Sequence, residues 1–170
     1  MDVAGLLIES FGRVEGELRR AVEGLSVDDL TFRPDPAANS IAWLAWHAAR
    51  GEDAQVADVA GTPQVWTAQG WDERFDLPFD PSDTGYGHSA ADVGRVVAGA
   101  DLLLGYYAAV AGRSREYLGT LTADDLDRVV DEAWDPPVTL GVRLVSIVGD
   151  SLQHAGQANY VRGLRERADT

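Results

Sequence analysis

The sequence contains no cysteine and no lysine, and it has only three histidines among 170 residues. Without cysteine there is no disulfide, no thiolate nucleophile and no sulfur ligand for a metal. Any metal has to be held by histidine, carboxylate or water, and any thiol in the chemistry has to arrive on another molecule. All fourteen basic residues are arginine, which we read as coding bias and not as chemistry. Long apolar runs are missing too. Gly, Asp or Arg interrupts each one within about ten residues, short of the roughly 20 needed to span a bilayer. The opening Met1-Asp2-Val3-Ala4-Gly5 has no basic n-region of a secretory signal, so a cytoplasmic protein is expected. Positive charge is outweighed: a net charge of −14 repels phosphate backbones and anionic lipid alike, so neither nucleic acid nor membrane is an expected partner.

What is present is enough for one domain with a real core: 170 residues, 45 % of them hydrophobic. No internal repeat or low-complexity tract is visible. Four helical segments stand out, and the expected fold is all-α, a four-helix bundle. The first runs from about Val3 to Glu23, with Leu6, Leu7, Phe11, Val14, Leu18 and Val22 at spacings of three and four and Gly24 as its stop. Leu25 to Ala38, with Pro34 and Pro36, reads as a connection. The second helix starts after Asn39-Ser40, either of which can cap it, and runs to about Ala60 before Gly61 and Pro63. Its first half is apolar nearly all round, which predicts deep burial. The third is expected from Ser89, where Ser89-Ala90-Ala91-Asp92 has capping-box spacing, to about Leu118. The fourth follows Pro136-Pro137 with Thr139 as cap, and carries Leu140, Leu144, Ile147, Val148 and Leu152 on its core stripe to about Arg167.

Some 27 residues, Thr62 to His88, separate the second and third helices, where about two to eight is usual in a bundle. The segment holds Trp66, Trp71, Phe75, Phe79 and Tyr86. That aromatic content predicts packing over one end of the bundle, either as a lid on a site or as a plug that completes the core. The acidic run Asp124, Asp125, Asp127, Asp131 and Glu132 lacks the alternating Asp and central Gly of a calcium loop, and a solvated face is expected.

Two of the histidines fall in helices expected to be buried. Asp150 and His154 are four apart, so they lie about 40° apart around the helix and one turn apart along it. Read at helical spacing, their stripe adjoins the core. His47 lies on the second helix among Trp43, Leu44, Ala48 and Gly51. If the second and fourth helices are neighbours, two imidazoles and a carboxylate converge, and such a set leaves open positions on a metal for water or substrate. The alternative is an Asp–His hydrogen bond in the core. His88, in Gly85-Tyr86-Gly87-His88-Ser89, is expected to be solvent-exposed or to flank a helix N-cap, the alternative being a substrate or proton contact at the mouth of the site.

Three stretches resemble one family. Asn39-Ser40-Ile41-Ala42-Trp43-Leu44-Ala45-Trp46-His47 is similar to the second-helix motif of the DinB-like superfamily, which delivers the first metal-binding histidine. His154-Ala155-Gly156-Gln157 resembles that superfamily's His-x-Gly-Gln signature, whose histidine is the last ligand. Asp83-Thr84-Gly85-Tyr86-Gly87-His88-Ser89 resembles the segment before the third helix in an actinobacterial branch. The resemblance spans nearly the whole chain in order and spacing. It implies metal binding by His47, Asp150 and His154. Asp150 departs from the histidine most relatives carry four residues before the last ligand, but the related mycothiol-dependent maleylpyruvate isomerases use a carboxylate there. The resemblance further implies a divalent metal, zinc first with nickel and iron as alternatives. It implies a low-molecular-weight thiol such as mycothiol as cosubstrate and a small-molecule substrate; the oligomeric state stays open, with a homodimer as one candidate. The expected activity is S-transfer or isomerisation; a non-catalytic metal- or ligand-binding stress protein and a metal-dependent hydrolase are the alternatives.

Overall fold

The structure, a computed structural model, describes residues 1–168. Helix α1, Val3–Val22, begins where the Asp2 carboxylate accepts the Gly5 amide at 2.8 Å, and it buries Phe11, Val14, Leu18, Ala21 and Val22. The connection that follows is not all loop: Ser26 and Asp29 form a capping box that starts a short helix α2, Val27–Thr31. Ser40, and not Asn39, caps α3, Ile41–Ala60, by accepting the Trp43 amide at 3.1 Å. Gly61, at φ 65°, closes it in the left-handed conformation that favours glycine. Every residue from Ile41 to Trp46 is buried, as the all-round apolar pattern predicts.

Two short helices interrupt the long connection, α4 at Val65–Ala68 and α5 at Trp71–Phe75. Ser89 and Asp92 form the expected capping box, but the helix they start, α6, Ala90–Val93, stops after one turn. The third long helix, α7, begins only at Ala100 and ends at Leu118. Between them Val96 and Ala98 are buried and Val97 is exposed, the alternation of an extended chain. The expectation of one helix from Ser89 is corrected here: the 3.6-residue period could run through Val93, Val96 and Val97, but Gly94 and Gly99 weaken a helix at both ends of that stretch. A 3-10 turn at Asp124–Asp127 and a two-stranded antiparallel hairpin, β1 at Val129–Asp131 and β2 at Val138–Thr139, lead into α8, Leu140–Ala168. The Thr139 hydroxyl accepts the Val142 amide at 3.4 Å, so the residue read as the cap does cap.

The four long helices pack in the cyclic order α1, α7, α3, α8, each against two neighbours. Side-chain register fixes their directions. Asn159 and Arg162 of α8 bond the Glu17 and Arg20 carbonyls of α1, so these two run parallel. Tyr106 and Tyr117 of α7 reach Asp53 and the Val59 carbonyl of α3, so these run parallel as well. His47 meets His154, and Gln55 meets Arg143, so α3 and α8 are antiparallel.

Parallel neighbours explain the long connection. After α3 the chain must climb back about 30 Å, the length of a 20-residue helix, before α7 can start. Part of that distance is covered by the non-helical stretch 96–99, since an extended chain rises about 3.3 Å per residue, roughly twice the rise of a helix. On the way the connection does what a plug does: Val65, Trp66 and Phe75 enter the core, with Trp71, Leu77 and Phe79 packed against it. It also walls the site described below. Among the described residues, no helix is long and apolar enough to cross a membrane.

Candidate metal centre

The contact between α3 and α8 brings the expected residues together. One ligand atom each from His47, Asp150 and His154 lies within 4.8 Å of the other two, the one such group of three found among the described residues. The imidazole rings of His47 and His154 are 4.8 Å apart at 66°. Asp150, one turn before His154 on α8, places Oδ2 3.6 Å from His154 Nε2. That is too far for a hydrogen bond, so the core Asp–His bond considered from the sequence is not made.

His47 has a fixed tautomer. Its Nδ1 lies 2.5 Å from the Thr84 carbonyl oxygen. A carbonyl only accepts, so the proton sits on Nδ1 and the lone pair on Nε2. Burial pushes the His47 pKa down, against the opposing effect of the Thr84 carbonyl, and the His154 ring adds to the lowering. The neutral imidazole is the ligating form. His154 offers a second observation: its Nδ1 is buried with no hydrogen-bond partner.

The donor set fits a divalent ion. Bonds of about 2.0–2.2 Å to a tetrahedral ion put ligand atoms roughly 3.4 Å apart, so the cluster must contract modestly. Asp150, whose side chain is 52 % exposed, has the freedom to move inward. The cluster borders a cleft of about 360 Å³ lined by His47, Gly51, Ala54, Gln55, Thr84, Tyr86, Ser146 and Asp150.

Behind the cluster lies a buried polar network that sequence reasoning did not assign. Arg50 is fully buried, 3.5 Å from Asp53 Oδ2. Its guanidinium donates to the carbonyls of Asp83 at 3.1 Å and Pro81 at 3.3 Å and to Gln64 Oε1 at 2.9 Å. Asp53 accepts the Val65 and Trp66 amides and the Tyr106 hydroxyl, each at 2.8 Å. One ion pair thus anchors the connection at both ends and holds the strip that carries Thr84. The signal was present in part, since Arg50 and Asp53 are charged residues that follow directly on the apolar first half of α3.

His88 flanks the N-cap of α6, Ser89, as one expectation had it, but it is not solvent-exposed. Its side chain is 7 % exposed, and it bonds Trp43 and Asp83 instead of water. The surface reading followed from its glycine-rich neighbours, which turn out to fold the segment back over Trp43 and Trp46.

Fold and site together define a helical bundle with a histidine–aspartate–histidine cluster between two antiparallel helices. The model of the mycothiol-S-transferase family matches residues 6–167, and the chain belongs to this DinB-like family. Among solved structures, a conserved protein from Enterococcus faecalis is 33 % identical, covering 95 % of this chain and 96 % of its own, with a TM-score of 0.89. No curated protein matches the chain.

Proposed function

We propose that this protein is a divalent-metal-dependent S-transferase in which His47, Asp150 and His154 hold the ion and a low-molecular-weight thiol of the mycothiol type supplies the sulfur. The observation that carries the reading is the convergence of three donor atoms within 4.8 Å beside an open cleft. Membership of the mycothiol-S-transferase family supports the sulfur chemistry, and the absence of cysteine requires that the sulfur come from a second molecule.

When bound, a divalent ion supplies the positive charge that makes a thiol ionise at neutral pH, zinc being the first expectation and nickel or iron the alternatives. The chain's own residues prepare the site for it. Thr84 keeps the His47 proton on Nδ1, so that Nε2 faces outward as a lone pair. Asp150 contributes a carboxylate that offsets part of the ion's charge. In the cleft, Gln55 and Ser146 are neutral and polar, Tyr86 forms an aromatic rim, and Asp150 is the sole formally charged lining residue. Such a surface suits an uncharged, hydroxyl-bearing thiol. In the transfer a carbon–sulfur bond forms as the bond to the leaving group breaks, and the thiol proton passes to solvent.

The experiment is metal analysis of the purified protein and of His154→Ala, followed by an assay of thiol consumption with a small electrophile. The reading predicts about one divalent ion per chain, its loss in the variant, and thiol consumption that needs the ion. Wild-type protein that binds no ion refutes it. An ion without any thiol-dependent turnover leaves a binding protein.

A further inference from the structure

We propose that His88 is a positioning residue of this centre: it holds Trp43 in its stack on His47, and Asp83 fixes the His88 tautomer that this requires. The inference rests on His47, Asp150 and His154 being the ligands.

Trp43 precedes His47 by one helical turn, and the two rings are stacked at 4.6 Å and 17°. The same indole meets His154 edge-on at 6.2 Å and 82°. Both proposed ligand rings therefore rest on one side chain, whose own orientation matters. An indole N–H can only donate. Trp43 Nε1 donates to His88 Nδ1 at 3.1 Å, so Nδ1 carries no hydrogen and the proton is on Nε2. Nε2 lies 3.0 Å from Asp83 Oδ2, an acceptor. The other Asp83 oxygen accepts the Gly85 amide at 2.7 Å. Trp43 thus donates to His88 and His88 to Asp83, the carboxylate that also accepts the Gly85 amide, and every donor has its acceptor.

His88 is also packed, with its ring 4.6 Å from Phe79 and stacked on Trp46 at 5.9 Å and 23°. Both of its nitrogens are used, so it is neither a fourth ligand nor a free base. What it contributes reaches the site through Trp43. The face of an indole carries negative quadrupole charge and attracts cationic groups. An imidazole that gives its lone pair to a cation becomes electron-poor, so the Trp43 stack favours the ion-loaded state of His47. Without an acceptor at position 88, the Trp43 N–H would be buried and unpaired, and the ring would turn to seek a partner.

Packing and hydrogen bonding can be separated by two substitutions. His88→Phe keeps an aromatic ring against Trp46 and Phe79 but removes the acceptor. His88→Asn discards the ring but keeps an acceptor close to the Nδ1 position. We would measure Zn²⁺ affinity by competition with a chromophoric chelator at fixed pH. The expected result is a loss of about tenfold for H88F, with H88N within about threefold of wild type. The W43F/H88F double variant should be no weaker than the weaker single variant, because both changes remove one bond. The reverse order, equal losses in H88F and H88N, or affinities equal to wild type in both would overturn the proposal. If H88F does not fold, H88N still decides, since a tenfold loss there contradicts a role as acceptor. Wild-type protein that binds no Zn²⁺ would sink the metal centre itself; a wild type that binds and an H88F that binds equally well would sink the role of His88 alone.

Discussion

His47 donates its Nδ1 proton to the carbonyl of Thr84, 37 residues further along the chain, over 2.5 Å. The next residue, Gly85, makes that approach feasible. It sits at φ 88°, and a Cβ there would lie 2.9 Å from Trp46 and 3.0 Å from His47 Nδ1. Gly87 also has positive φ, 75°, but a Cβ there meets nothing within 4 Å.

The two glycines should therefore respond differently to alanine. Gly87→Ala carries only the backbone penalty, about 1–2 kcal/mol, and should leave metal affinity as it is. Gly85→Ala carries that penalty plus the collision, and by displacing His47 it should weaken metal binding by about tenfold or more. Denaturant unfolding and chelator competition on both variants check this. Equal behaviour would mean that the close approach to His47 has no consequence.

The Arg50–Asp53 pair predicts a large stability effect at a distance from the ligands. Asp53→Ala strips the guanidinium of its carboxylate inside the core and leaves the Val65 and Trp66 amides and the Tyr106 hydroxyl without their acceptor. A loss of about 3–5 kcal/mol is expected in equilibrium unfolding. A loss below about 1 kcal/mol would show that the connection is held by its aromatic residues alone.

Glu52 predicts a pH dependence. It is buried between α3 and α7, accepts the hydroxyls of Tyr107 at 2.8 Å and Ser114 at 2.6 Å, and burial raises its pKa from 4.5 to about 7. A carboxyl with a raised folded pKa binds its proton more tightly in the folded state. Its contribution is therefore complete below pH 4.5, declines as pH rises, and is lost once pH passes about 7. The decline is on the order of 3 kcal/mol. Urea midpoints measured from pH 5 to pH 8 should fall for wild type and fall much less for Glu52→Gln. Parallel profiles would contradict a carboxyl that is neutral when folded.

Removing the metal should leave the protein folded. The core clusters are apolar and include none of the three proposed ligands. Chelation should remove only the stabilisation that binding supplies, about 2.7 kcal/mol at a hundredfold excess of ion over its dissociation constant, and lower the melting temperature accordingly. A chelated protein unfolded at room temperature would make the ion structural.

Much of this was legible in the sequence, for identifiable reasons. Helices α1, α3 and α8 announce themselves through spacing and caps, and an i, i+4 pair such as Asp150 and His154 must share a face whatever the fold. The apolar stripes were read slightly too wide. Leu6 and Leu152 are exposed, because each stands about 100° around its helix from a residue that does face inward, Leu7 and Ser151. The break before Ala100 was missed because valines at helical spacing also suit an extended chain. His88 was misplaced because nothing local records that a segment 45 residues from Trp43 folds back onto it. The hairpin has the same cause, and of the polar network the sequence shows the charges of Arg50 and Asp53 but not the distant carbonyls, amides and hydroxyl they bond, which are products of tertiary contact.

The most direct test of the central claim is the absorption spectrum of the Co²⁺-substituted protein with and without mycothiol or a simpler thiol. The account predicts visible ligand-field bands at about one Co²⁺ per chain, absent in His154→Ala, and a new sulfur-to-metal charge-transfer band on adding thiol, with release of a proton. A Co²⁺ spectrum unchanged at saturating thiol would contradict it.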